Sequence, residues 1–202
     1  TVYVNGTYLE ASEATIPVED RAHQFADGVY EVIAFFNRKL LDAEPHLKRL
    51  DFSCGELKIT NPHSHGEWLK IIQEMIDRND YEHGGVYLQV SRGTQSRNHV
   101  YESGLKANVT LSAFGQKTPS RELTEQGAKV ITYPDLRWKR CDIKTTGLLG
   151  NVMAKQAATE ANAREAILIK ENGEVSEASV SNFFIVKNGV VQTHPATNEI
   201  LN

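Results

Sequence analysis

The sequence predicts an α+β protein in two domains. Three observations carry that reading. Strand-like and helix-like segments are mixed along the chain, strands dominate its late part, and a run of chain breakers, Gly115-Gln116-Lys117-Thr118-Pro119-Ser120, separates two patterned regions. The expected boundaries are residues 1–115 for a small N-terminal α/β domain, 116–120 for an interdomain linker and 121–202 for part of a larger second domain. A long surface loop is the alternative reading of the breaker run.

In the first region Thr1–Asn5 alternates and ends at Asn5-Gly6, a hairpin-type turn signal. Val29–Phe36 is rich in β-branched and aromatic residues and breaks at Asn37-Arg38-Lys39. Trp68, Leu69, Ile71, Ile72, Met75 and Ile76 recur at helical spacing. Gly85–Ser91 and Ala107–Phe114 read as strands, with the polar loop Arg92–Gly104 between them. The second region opens with a strand near Ala128–Thr132. An alanine-rich helix follows over Leu149–Ala163. Strands at Ala166–Ile169, Asn182–Val186 and Val190–Thr193 are separated by turns at Glu171-Asn172-Gly173 and Lys187-Asn188-Gly189. The chain stops at Ile200-Leu201-Asn202 with no closing helix, and the expectation is a chain truncated in its C-terminal domain.

Composition narrows the function classes. Of 202 residues, 40% are hydrophobic and 24% charged, ordinary values for a soluble globular protein. A net charge of −4 lacks the basic footprint of a nucleic-acid binder. No apolar run approaches a membrane span, and Thr1-Val2-Tyr3-Val4-Asn5 has no signal-peptide character, so the cytoplasm is the expected location. Cys54 and Cys141 read as two reduced thiols. The sequence has no P-loop, no G-x-S-x-G, no H-E-x-x-H and no cysteine pair at metal spacing. His63 and His65 lie two apart but without a third ligand nearby, which reads as a solvated loop; no metal is expected.

Three places have residue types suited to chemistry. Lys144 is flanked by Cys141, Ile143 and Leu148; partial desolvation there favours the neutral amine that Schiff-base chemistry needs. On spacing alone, a surface lysine is the simpler reading. Glu177 sits among small hydroxyl residues in Glu174-Val175-Ser176-Glu177-Ala178-Ser179-Val180-Ser181-Asn182, where an ordinary turn is the alternative. Arg97 and His99 are two apart in the loop, and in an extended segment both face one way and suit one carboxylate. A solvated basic loop is the alternative.

These pieces together resemble the class IV aminotransferases, the fold type IV enzymes of pyridoxal 5′-phosphate (PLP). The matching blocks are Pro17-Val18-Glu19-Asp20-Arg21, Phe25-Ala26-Asp27-Gly28-Val29-Tyr30-Glu31, His46-Leu47-Lys48-Arg49-Leu50, Arg140-Cys141-Asp142-Ile143-Lys144 and Glu177-Ala178-Ser179-Val180-Ser181-Asn182. The resemblance implies that Lys144 forms the Schiff base with PLP and shuttles the substrate proton. It implies that Glu177 pairs with the pyridine nitrogen, that Arg49 holds the phosphate and that Arg137 lies near the phenolic oxygen. Tyr30, Arg97 and His99 match the substrate-carboxylate trap of the D-amino-acid branch, whose Arg-x-His loop comes from a partner subunit. A homodimer is therefore implied, as is ping-pong transamination between D-amino acids, such as D-alanine, and 2-oxo acids. Two departures stand out. Three consecutive serines of that branch are here Ser179-Val180-Ser181, leaving open whether Ser179 or Ser181 serves the phosphate region, and the family's later Gly-Ile-Thr segment does not occur. The competing implications are an aminodeoxychorismate lyase or R-selective amine aminotransferase on the same scaffold, and a non-catalytic PLP-binding fragment.

Overall fold

The computed structural model describes residues 1–116 and 121–201. Most of the expected linker therefore lies outside the described residues. The chain divides into two compact units: Thr1–Thr118 with Lys144–Gly147, and Pro119–Ile143 with Leu148–Asn202. The sequence reading assigned Lys144 to the second region; in the structure its segment groups with the first unit.

The first unit is built on strands β1 (Val2–Val4), β2 (Thr7–Leu9), β3 (Gly28–Phe36), β4 (Lys39–Leu40), β5 (His83–Ser91) and β6 (Asn108–Gly115), with helices α1 (Arg21–Phe25), α2 (Ala43–Leu57) and α3 (His65–Asp77). The strands form one antiparallel sheet in the order β2-β1-β6-β5-β3-β4. The Asn5-Gly6 signal forms the β1–β2 turn, with both residues at positive φ (48° and 100°), as a primed turn requires. Alternation along β3 buries Val29, Glu31, Ile33 and Phe35 as one row. Helices α2 and α3 pack on the sheet, placing Leu47, Leu50, Trp68, Ile72, Met75 and Ile76 in the core with Val86, Leu88, Val90 and Leu111.

Helix α2 falls where the sequence analysis places no element. Its Pro45 stands in the first turn, where the missing N–H costs nothing, and Leu47, Leu50 and Cys54 share its buried face. Helix α3 starts at a full capping box: the Ser64 hydroxyl faces the Glu67 N–H while the Glu67 carboxylate accepts from the Ser64 N–H. Ser64→Ala is expected to lower stability by about 1 kcal/mol, read as the shift in a urea melt. His65 bonds Asp51 and Glu44, and His63 meets Trp68 edge-on. Among the described residues no cluster of three or more His, Cys, Asp or Glu is arranged to hold a metal, and no helix is long and apolar enough to cross a membrane.

The second unit contains α4 (Arg121–Gln126), β7 (Val130–Pro134), α5 (Leu149–Glu160), β8 (Glu165–Ile169), β9 (Val175–Ala178), β10 (Phe184–Lys187) and β11 (Val190–Thr193). Strands β7 and β8 are parallel, joined through α5, and β9 runs antiparallel to β8. Ala154 and Ala158 of α5 pack on Ala166 and Leu168 of β8; these small side chains let helix and sheet approach closely. Strand β9 replaces the turn read at Glu174–Asn182. Ser176, Glu177 and Ala178 are buried consecutively, so the period-2 signal of a half-exposed strand is missing. Strands β10 and β11 form a separate hairpin with exposed faces.

Candidate active site

In the first unit, the Lys144 segment is fixed by its backbone. Its carbonyl accepts from the Tyr30 N–H at 2.9 Å, its N–H donates to Ser53 Oγ at 3.2 Å, and Thr145 bridges to Val29. The Lys144 Nζ lies 4.3 Å from the centroid of the Tyr30 ring, a cation–π distance. Tyr30 in turn stacks on Tyr87, with centroids 5.4 Å apart. Burial, reinforced by the Glu31 charge, pushes the Tyr30 hydroxyl above its usual pKa; burial and the neighbouring Tyr30 push Tyr87 to about 12. Both phenols therefore remain neutral hydrogen-bonding groups at pH 7.

Behind β3, Glu31 is fully buried and holds two partners on α2. Arg49 donates from Nε at 2.7 Å and from Nη2 at 2.8 Å, and His46 Nδ1 lies 2.7 Å from Glu31 Oε2. Burial drives the Glu31 carboxyl up, but the bonds from Arg49 and His46 and the charges of Arg49 and Lys144 win and hold it below its usual value. Arg49 keeps 26% of its side chain exposed, so the same guanidinium is both anchored and accessible. Sequence reasoning gave Glu31 no role. The available signal was an acid in the apolar row of Val29, Ile33 and Phe35.

Arg97 and His99 lie in a bent loop segment, not the extended one expected, yet the structure still brings them together. The Arg97 guanidinium is 4.8 Å and the His99 ring 5.2 Å from the ring of Phe25, at the end of α1. The loop leaves β5 through Gly93 at φ 117°, where a Cβ would stand 2.2 Å from the Lys106 carbonyl oxygen, so only glycine fits.

In the second unit, β9 carries Glu177, which is 5% exposed. One of its oxygens accepts from Asn182 at 3.1 Å and from the Leu201 N–H at 3.0 Å, and the other faces Arg137 Nη1. Arg137 also makes a fork on Asp135, at 2.9 and 2.8 Å, and donates to Ser176 Oγ. Burial pushes the Glu177 carboxyl above its usual value; Arg137 opposes this without cancelling it. Ser179 is fully buried, its hydroxyl 3.3 Å from Glu165 Oε1, whereas Ser181 is exposed. Cys141 and Cys54 are buried free thiols pushed by burial to about 11 and about 12, unreactive at neutral pH.

The donor set is that of a phosphorylated pyridine aldehyde: an amine on fixed backbone, a buried carboxylate and an anchored guanidinium with exposed surface. Comparison with known proteins agrees. The family "Amino-transferase class IV" matches residues 28–202. The chain belongs to this family. It is similar to a D-alanine aminotransferase of Bacillus licheniformis, 45% identical over 201 residues spanning 100% of this chain and 70% of the relative. A D-alanine aminotransferase of Listeria monocytogenes is 42% identical over 203 residues, with the same coverage. Among solved structures, a branched-chain amino acid aminotransferase from Escherichia coli superposes at TM-score 0.85 and 22% identity over 99% of this chain and 68% of its own, which speaks to fold alone. A thermophile's branched-chain amino acid aminotransferase (source T.th.), complexed with N-(5′-phosphopyridoxyl)-L-glutamate, gives TM-score 0.87 at 25% identity over 98% of this chain and 68% of its own. As in the rest of the class IV family, the cofactor is PLP.

Proposed function

We propose that this aminotransferase exchanges the amino group of D-amino acids, D-alanine among them, with 2-oxo acids. The observation that carries the reading is the whole-chain identity of 37–45% to relatives named as D-alanine aminotransferases. The placement of Lys144 beside Tyr30 supports it. When bound, PLP supplies an electron sink conjugated to the substrate Cα. Lys144 binds the cofactor covalently and then, as a free amine, takes the proton from Cα and returns it, acting as base and acid in turn. Glu177 holds the protonated ring nitrogen, Arg49 the phosphate, and Arg137 lies near the phenolic oxygen. Ser181, with its exposed hydroxyl, suits the phosphate region better than the internally bonded Ser179. Tyr30, with Arg97 and His99 of a second subunit, grips the substrate carboxylate. That grip decides which face of Cα meets Lys144 and hence which enantiomer reacts. A cytoplasmic homodimer is part of this reading.

A coupled assay tests it. D-alanine with 2-oxoglutarate should yield pyruvate and L-alanine should not. Equal turnover of both enantiomers, or none of the D form, would overturn the proposal. Glu177→Gln should lower kcat by about 10²–10³, the effect of losing one preorganised electrostatic partner. Its stability at pH 7 should be unchanged or higher. The folded state raises the Glu177 pKa above the ordinary 4.5, so this group favours folding most below that value and opposes it as pH rises. A thermal melt beside the rate assay checks both halves.

A further inference from the structure

We propose that Phe25 and Arg21 are positioning residues that present Arg97 and His99 to the substrate carboxylate. The inference rests on the reading above, in which those two residues grip that group. Residues 96–104 are exposed, and an exposed arginine ordinarily spreads over many rotamers. Here both side chains converge on one ring. Among the described residues Arg97 makes no hydrogen bond or ion pair; its charge rests on the face of Phe25. A ring face satisfies a guanidinium without consuming its N–H donors, so the fork stays available for a carboxylate.

The backbone beneath the pair is clamped from the same helix. Buried Arg21 donates from Nη1 to the Asn98 carbonyl at 2.6 Å and from Nη2 to the His99 carbonyl at 3.2 Å, while its Nε is held by Asp27 at 2.8 Å. Asp27 also takes both Nε and Nη2 of Arg92, where the loop begins. Tyr101, further along the loop, lies 3.7 Å over the Arg92 guanidinium. Arg21 itself stands 4.8 Å from the Phe25 ring. The segment bearing Arg97 and His99 is thus tied at its root, under its backbone and beneath its side chains. A pair held in this way binds a carboxylate without first being ordered.

The test compares Phe25→Leu, Phe25→Tyr and Arg97→Ala, each loaded with PLP. Phe25→Leu should raise KM for D-alanine and for the 2-oxo acid together by roughly tenfold, the size of an exposed-to-buried cation–π contact. Its kcat should stay within about twofold and its PLP affinity unchanged. Phe25→Tyr, which keeps the ring, should restore both KM values. If Phe25→Leu leaves KM unchanged while Arg97→Ala raises it, the positioning role is wrong and the carboxylate reading stands. If Arg97→Ala also leaves KM unchanged, the carboxylate reading fails and takes this inference with it. A parallel loss of PLP affinity in Phe25→Leu would mark a merely structural residue and overturn the proposal. Should Phe25→Leu not fold, Arg21→Lys carries the test. It retains the charge beside Asp27 but cannot span both carbonyls, and the same rise in KM is expected.

Discussion

Lys144→Ala protein should convert D-alanine at least about 10³-fold more slowly than the parent while keeping most of its stability. General base and acid catalysis by one positioned group contributes typically 10²–10⁴-fold, and here the same amine also forms the covalent link to the cofactor. Stability should change little because the segment is held by its main chain, through the Tyr30 and Ser53 bonds and the bridge to Val29. The side chain adds only its contact over the Tyr30 ring. Borohydride treatment of the parent followed by peptide mapping should place the pyridoxyl group on Lys144. Label on Lys139 or Lys155 would contradict the assignment.

The largest loss of stability is expected from Asp27→Ala, at about 3–5 kcal/mol, the range for breaking a buried ion pair from one side. Asp27 joins two arginines whose side chains are only 4% and 8% exposed, Arg21 and Arg92. Without it both cations stay buried with no countercharge between them. The melting temperature should fall by roughly 6–20 °C for a protein of this size. The effect has a pH signature. Burial pushes the Asp27 carboxyl up, but hydrogen bonds and charges from Arg92 and Arg21 outweigh burial and hold it below its ordinary 3.8. An acid with a depressed folded-state pKa contributes stability that is present above 3.8 and lost as pH falls through the folded value. Melts of parent and variant should therefore differ most at neutral pH and converge below pH 3.8. A gap that stays constant into acid would show that the lost stability comes from packing and not from charge. Because Arg21 also carries the Arg97 loop, the surviving folded fraction should bind D-alanine more weakly.

Much of the first unit was legible because its strands are half-buried. Alternation marks β3, β5 and β6, the 3.6-residue period marks α3, and Asn5-Gly6 marks the first turn. Helix α2 was missed since Pro45 and Gly55 read as breakers, although Pro45 sits in the one turn that tolerates it. Strand β9 escaped because three adjacent residues are buried and no alternation survives. The site shows the same division. Lys144, Glu177 and Arg49 belong to recognisable blocks, so the chain order alone points to them. Glu31, Phe25 and Arg21 sit inside those blocks but acquire meaning only through distant partners: Arg49 and His46 for the first, and a loop more than 70 residues downstream for the other two. Periodicity cannot reveal such pairings, though a buried acid in an apolar row is a warning that one exists.

The most direct test of the central claim is a half-reaction. The protein is loaded with PLP, freed of excess cofactor and followed by absorbance as D-alanine, and in a separate sample L-alanine, is added without an acceptor. The account predicts that D-alanine alone converts the lysine-bound spectrum to that of pyridoxamine phosphate, with one pyruvate released per site. Conversion by L-alanine at an equal rate, or a lysine-bound spectrum that neither enantiomer alters, would contradict it.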